Sequence, residues 1–237
     1  MPDLLDRASQ VGRALLDLIY PPCCPGCGRM GSAFCERCRD QVALIESPVC
    51  FHCGCALPEE GLCFRCRSLP SSLDGIRAAA VFEDPLRLAI HALKYENNTT
   101  LAAPLGAMMV GLWRSGGLPE ADLILPVPLH TRRQAERGYN QSSLLARVLG
   151  RAVGVPVDEQ MLIRQRATLP QVGLGLSERQ KNVEGAFVCR GHLGGQTAVV
   201  VDDVCTTGAT LEACADALRA VGALRVWAFT LARARLD

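Results

Sequence analysis

The sequence predicts an α/β fold, a parallel sheet flanked by helices, with a small cysteine-rich module ahead of it. Three observations lead there. Ten of the 13 cysteines lie between Cys23 and Cys66. Beyond residue 76, strand-like runs alternate with stretches of helical period, the pattern of a parallel-sheet domain. The run "QTAVVVDDV" is almost continuously apolar before its acidic end, as a strand covered on both faces would be. With 237 residues, 49% of them hydrophobic, the chain has enough apolar surface for one medium domain plus a small module. A net charge of +1 argues against a purely electrostatic nucleic-acid binder while allowing a local basic patch.

The elements follow in order. Leu4, Leu5, Ala8, Val11, Leu15, Leu18 and Ile19 share one face, so a helix is expected over 1–20, ended by Pro21-Pro22. That start is not an export signal, because Asp3 and Asp6 stand where positive charge belongs and Asp17 interrupts the apolar tail. No apolar run approaches the roughly 20 residues of a membrane helix. The cysteine module spans 21–68, and "SLPSSLDG" marks a linker over 69–75. The larger domain, 76–237, opens with the strand "IRAAAVFE" and the helices "PLRLAIHALKY" and "LAAPLGAMMVGLWRSG". The strand "ADLILPVPLH" and the helix "NQSSLLARVLGRAVG" come next. A polar stretch from Arg164 to Val183 lacks apolar periodicity and reads as a long mobile loop. "QTAVVVDDV", the helix "GATLEACADALRAVGA" and the strand "LRVWAFTLAR" close the chain.

The cysteines are arranged as four C-x-x-C pairs: Cys24 and Cys27, Cys35 and Cys38, Cys50 and Cys53, Cys63 and Cys66. One such pair brings two sulfurs to one ion from a tight turn, and two pairs complete a tetrahedral thiolate site. Two structural zinc ions are therefore expected, with Cys23 and Cys55 as spare neighbours able to substitute. A closed four-thiolate site predicts folding rather than catalysis, and a strong chelator is expected to unfold this module alone. Reduced, metal-holding thiols and the missing export signal place the protein in the cytoplasm.

The remaining signal is "VVVDDVCTTGAT". Carboxyl ends of parallel strands are where open α/β sheets bind ligands. Asp202 and Asp203 close such a strand, and Thr206, Thr207, Gly208, Ala209 and Thr210 turn into the next helix. Free amides, hydroxyls and a positive helix end suit a phosphate monoester. Carboxylates beside a phosphate site accept hydrogen bonds from sugar hydroxyls, so the pair of features points to a ribose 5-phosphate. Adjacent strand residues face opposite ways, so both aspartates reach one ribose only if the chain turns there. Replacing both by asparagine is expected to abolish ligand binding with little change in stability.

This string resembles the phosphoribosyl pyrophosphate signature of type I phosphoribosyltransferases, with Cys205 where a larger aliphatic residue is usual. By position, "PVPLHTRRQAERGYNQ" is similar to the family's pyrophosphate loop and "RQRATLPQVGLGLSERQKNVEGAF" to its flexible catalytic loop. The resemblance implies pyrophosphate binding by Arg132, Arg133 and Arg137, with magnesium bridging its oxygens, and a catalytic role for Arg166 beside Asp202 and Asp203. Arg164, Arg179 and Lys181 are further cations of the second segment. Taken in order from residue 18 to 237, the cysteine module, "IHALKY" and these motifs resemble the ComF family of competence and DNA utilization proteins. That resemblance implies a type I phosphoribosyltransferase-like sheet behind a double zinc ribbon and a role in uptake of transforming DNA. Its partners would be a DNA-translocating helicase and proteins that receive single strands. Three functions compete. The chain is a glycosyltransferase-class enzyme moving a phosphoribosyl group, a single-stranded-DNA-binding accessory protein, or an adapter docking partners through its ribbons. For the second, the five arginines between Leu129 and Arg151 against Glu136 carry a net +4, with Phe51, Phe64 or Tyr139 available for stacking.

Overall fold

A computed structural model describes residues 21–68, 70–167 and 176–235. The helix expected over 1–20 lies outside the described residues, as does the middle of the expected catalytic loop. The cysteine module holds two short helices, α1 (Glu36–Asp40) and α2 (Phe64–Ser68). The larger part runs β1 (Gly75–Val81), α3 (Leu86–Tyr95), α4 (Ala102–Leu112), β2 (Leu123–Pro126), α5 (Thr131–Arg137) and α6 (Gln141–Val153). It continues with β3 (Leu162–Arg164), α7 (Leu176–Val183), β4 (Phe187–Cys189), β5 (Thr197–Cys205), α8 (Ala209–Ala220) and β6 (Arg225–Arg233).

Four strands form one parallel sheet in the order β1-β6-β5-β2. Parallel neighbours need crossovers, and helices supply them on both faces, so the central strands are apolar on both sides. Alternation then sorts their side chains into two cores. Val199, Val201, Phe229 and Leu231 pack with Leu86, Ile90, Leu105, Met109, Leu145 and Leu149 of α3, α4 and α6. Ala198, Val200, Val226 and Ala228 pack with Leu211, Cys214, Ala215 and Leu218 of α8. The expected parallel sheet with flanking helices is thus the observed one.

Four elements were not foreseen. The stretch read as a long loop contains α7, and β3 and β4 flank it as an antiparallel pair, Leu162 opposite Cys189 and Arg164 opposite Phe187. Its polar composition hid a helix whose Glu178 sits in the first turn and Lys181 in the last, the charge order a helix dipole favours. Helix α5 lies inside the segment read as the pyrophosphate loop, capped by the His130 ring, which accepts from the Arg132 amide at 3.3 Å.

The cysteine module is built onto the sheet. The Val81 amide donates to the Ala43 carbonyl at 2.8 Å and the Ile45 amide to Ala79 at 3.2 Å. Cys24, Phe34, Cys35, Cys38 and Val42 belong to the same core as α3 and α4. The segment expected as a linker is also anchored. Ser71 Oγ donates to Glu212 Oε1 at 2.5 Å and the Val226 amide to Asp74 Oδ2 at 2.7 Å. A chelator therefore acts on a module that shares a core with the sheet, which revises the expectation that it would unfold alone.

Candidate functional site

The cysteine clusters come first in the chain. Zinc–sulfur bonds of about 2.3 Å in a tetrahedron set the sulfurs about 3.8 Å apart. Cys27 Sγ lies 3.6 Å from Cys35 Sγ, and Cys53 Sγ 3.8 Å from Cys63 Sγ. Cys24, Cys27, Cys35 and Cys38 lie within 4.8 Å of one another, as expected. In the second cluster the mutually close set is Cys50, Cys53, Cys55 and Cys63. Cys66, the expected fourth ligand, stands outside that set but beside it, where burial and then the Cys63 and Cys53 sulfurs push its thiol up, so five thiols face four positions. Knuckle amides point at the sulfurs, Cys35 to Cys24 at 3.4 Å and Cys63 to Cys50 at 3.3 Å. Burial pushes both thiols up, but such N–H donors outweigh it and lower Cys24 to about 7 and Cys50 to about 6, which suits thiolate ligands. Donor set and spacing both fit zinc.

At the carboxyl ends of the parallel strands lies a cleft of about 440 Å³. Asp202, Asp203, Thr206 and Thr210 line it with Arg133, Arg137, Arg164 and Lys94. Helix α6 organises the carboxylates. Asn140 caps it, accepting from the Ser142 amide at 3.0 Å while its own amide donates to the Val127 carbonyl at 3.0 Å, which ties the helix start to the end of β2. The next two residues reach the aspartates. Gln141 Nε2 donates to Asp203 Oδ1 at 3.2 Å and Ser142 Oγ to Asp202 Oδ1 at 2.7 Å. Both carboxylates thus converge on one helix end despite their adjacency in β5.

Lys94 of α3 completes the arrangement by pairing with Asp203 Oδ2. The two aspartates consequently differ. Burial raises Asp202, and the neighbouring Asp203 charge raises it further, to about 7. Burial also raises Asp203, but the Lys94 charge outweighs it and holds that carboxyl below the usual range. Burial lowers Lys94, and the charges of Asp203 and Asp202 more than offset this. Asp203 is therefore a fixed anion, and Asp202 is the group whose charge can change near neutral pH.

The phosphate-type turn follows β5 directly. Gly208 begins α8 with φ 85°, a left-handed conformation that glycine adopts without strain. Thr207 Oγ1 accepts from the Ala209 amide at 3.4 Å. Thr207 and Ala209 line a second cleft, with Lys181 of α7 and with His52 and Arg65 of the cysteine module. The arginines expected to bind pyrophosphate divide. Arg137 lies 5.2 Å from the Tyr95 ring centroid and bonds to Gln141 Oε1, at the cleft edge with Arg133. Arg132 instead pairs with Glu136 at 2.9 Å on the exposed side of α5. Arg166 donates to the carbonyls of Asn182 at 3.2 Å and Glu184 at 2.6 Å. Among the described residues lining the carboxylate cleft, neither Arg132 nor Arg166 takes part.

Lys94, Asn140, Gln141 and Ser142 were missed from the sequence. A signal existed for each. Lys94 follows Leu93 on a helix otherwise buried through Ala89, Ile90 and Ala92, and "NQSS" sets four polar residues where a strand turns into a helix. All three of Gln141, Ser142 and Ser143 are buried, which polar residues seldom are without partners.

Comparison with known proteins identifies the two parts of the chain. Residues 15–67 match the model of the double zinc ribbon domain, and residues 145–236 that of the phosphoribosyl transferase domain. A DNA utilization protein YhgH from Salmonella typhi is 34% identical over 218 residues, covering 84% of this chain and 96% of that one. The chain belongs to the ComF family. Competence protein F of Haemophilus influenzae is 32% identical over 211 residues, 86% of this chain and 91% of that one. Among solved structures, a glutamine phosphoribosylpyrophosphate amidotransferase from B. subtilis superposes at a TM-score of 0.39, 23% identical over 55% of this chain and 26% of that one. As a ComF protein the chain thus joins a double zinc ribbon to a phosphoribosyltransferase-type domain. Among the described residues no helix is long and apolar enough to cross a membrane.

Proposed function

We propose that this ComF protein binds phosphoribosyl pyrophosphate with magnesium and transfers its phosphoribosyl group, serving DNA uptake and utilization. The observation that carries the reading is the cleft in which two unlike carboxylates, four arginines and the start of α8 meet at the ends of parallel strands. Asp202, with Oδ1 held by Ser142, accepts from a ribose hydroxyl, and Asp203 fixes Lys94 at the mouth of the site. Amides and hydroxyls of residues 206–210 take the 5-phosphate at the positive end of α8. Arg133 and Arg137 take the pyrophosphate. Magnesium would enter with the diphosphate beside Arg133 and Arg137 and would supply charge neutralisation of the leaving group. In the transfer, the bond from ribose C1 to pyrophosphate oxygen breaks, its electron pair leaves with pyrophosphate, and a nucleophile bonds to C1. Ionised Asp202 offsets the positive charge that develops on the ring, while Lys94 neutralises Asp203.

Ligand at a hundred times its Kd contributes about 2.7 kcal/mol to folding. For a protein of this size that raises Tm by roughly 5–10 °C. Scanning calorimetry with phosphoribosyl pyrophosphate and magnesium is expected to read that rise. No rise at millimolar ligand counts against the reading. A second reading, grip on single-stranded DNA, is favoured by two exposed rings on the ribbon, Phe64 at 88% and Phe51 at 55% exposure. Tyr139 is not available in the same way, since its hydroxyl donates to the Leu93 carbonyl. The basic stretch is also weaker than its composition, because Glu159, outside it, pairs with Arg147. A steep salt dependence of DNA binding supports this second reading.

A further inference from the structure

We propose that Arg65, carried between the ribbon cysteines Cys63 and Cys66, is a positioning residue for the phosphate-binding turn, so that the second ribbon is a working part of the phosphoribosyl site. The inference rests on the reading of that turn given above. Arg65 Nη2 donates to the carbonyl of Thr207 at 2.9 Å, across 142 residues of sequence. Thr207 is the second residue of the turn. In a trans peptide the carbonyl and the following N–H point in opposite directions. A Thr207 carbonyl held toward the ribbon therefore turns the Gly208 amide away from it, toward the concave side of the turn, where a phosphate oxygen needs a donor. Among the described residues no other group donates to that carbonyl, and the left-handed glycine beside it makes the peptide easy to rotate.

The ribbon can hold Arg65 still because it is locked to the strand ends at several other points. The Ile76 amide donates to the His52 carbonyl at 2.7 Å. Arg233, buried at the end of β6, donates from Nη1 to the Cys53 carbonyl at 2.7 Å and to Cys205 Sγ at 3.3 Å. Cys205 is the last residue of β5, immediately before the turn. Gly54 sits so close that an added Cβ would lie 2.4 Å from the Ile76 carbonyl oxygen. Metal at Cys50, Cys53 and Cys63 sets the knuckle from which these contacts are made. The arginines assigned to pyrophosphate lie in the other cleft, with no part in this lock.

That separation supplies the test. The full-length zinc-loaded protein is titrated with ribose 5-phosphate and, separately, with pyrophosphate and magnesium. Arg65→Met is expected to raise the Kd for ribose 5-phosphate about tenfold, the scale of a hydrogen bond from a charged group. Its Kd for pyrophosphate stays unchanged. Arg67→Met serves as control, since Arg67 lies on the same short helix but, among the described residues, bonds within the ribbon, to Leu62 at 3.0 Å. It is expected to change neither constant. Unchanged ribose 5-phosphate binding in Arg65→Met overturns the inference while leaving the functional reading standing. Equal losses for both ligands, or the same loss in Arg67→Met, also overturn it, because they indicate general damage to the ribbon. A wild-type protein that binds neither ligand overturns the functional reading and the inference with it.

Discussion

Replacing Asp203 by asparagine isolates the most consequential contact in the cleft. The Asp203 side chain is 3% exposed and that of its partner Lys94 22%. Removing one member of a buried pair leaves the other as an uncompensated charge, at a cost of about 3–5 kcal/mol. Lys94 keeps some solvent and the neighbouring Asp202, whose ionisation the loss of the Asp203 charge favours, which places this pair at the lower end, about 3 kcal/mol. At roughly 2–4 °C per kcal/mol, Asp203→Asn should lower Tm by about 6–12 °C. Asp202→Asn should behave differently. Its ionised form is already disfavoured by burial and by Asp203, and an amide oxygen still accepts from Ser142, so Tm should stay within about 2 °C of wild type. In a Lys94→Met background the cost of Asp203→Asn should shrink, giving a coupling energy of opposite sign to the single losses. Scanning calorimetry of the four variants reads all of this. Equal Tm values for Asp202→Asn and Asp203→Asn would refute the argument, since it depends on the two aspartates being unlike. The expectation that both could be neutralised at little cost in stability is thereby revised for Asp203.

Four further outcomes follow from the same geometry. Asp202 carries a raised value of about 7, so its protonation below that pH removes an acceptor for the sugar, and affinity for phosphoribosyl pyrophosphate should fall as pH drops from 8 to 6. Asp202→Asn should flatten that profile, and an equally steep profile in the variant assigns the titration to another group. The same raised value means that Asp202 subtracts stability progressively as pH rises from the ordinary carboxyl range through about 7, whereas Asp203, held low, adds it as pH rises. With five thiols at the second cluster, Cys55→Ser and Cys66→Ser should each retain the second zinc by metal analysis, and the double variant should lose it. Loss of the ion in Cys66→Ser alone would show that Cys55 is no substitute. Chelation should lower the melting temperature of the sheet as well as the ribbon, because Cys24, Cys35 and Cys38 share its core; a sheet transition unmoved by metal removal would contradict that packing.

Much of this was legible in the residues, for physical reasons. The strand ending in Asp202 and Asp203 announces itself because a doubly covered parallel strand must be apolar along its length, so two acids at its end stand out. The C-x-x-C pairs are legible because thiolate ligation constrains spacing so tightly. What escaped was whatever depends on partners distant in the chain. Lys94 reads as the ordinary polar end of a helix until Asp203, 109 residues on, is seen to face it. Gln141 and Ser142 read as a helix start until the aspartates are found beyond them. Helix α7 escaped because its eight residues are mostly polar and carry little apolar periodicity. Arg132 and Arg166 show the converse. Both occur in segments resembling known loops, yet Glu136 and the carbonyls of Asn182 and Glu184 claim them locally.

The central claim is that the carboxylate cleft is a live phosphoribosyl pyrophosphate site. The measurement that meets it most directly is a calorimetric titration of zinc-loaded protein with phosphoribosyl pyrophosphate and magnesium. Saturable binding at one site per chain, weakened at least tenfold in Asp202→Asn, is the predicted result. Absence of heat at millimolar ligand, or wild-type affinity in the variant, would contradict it.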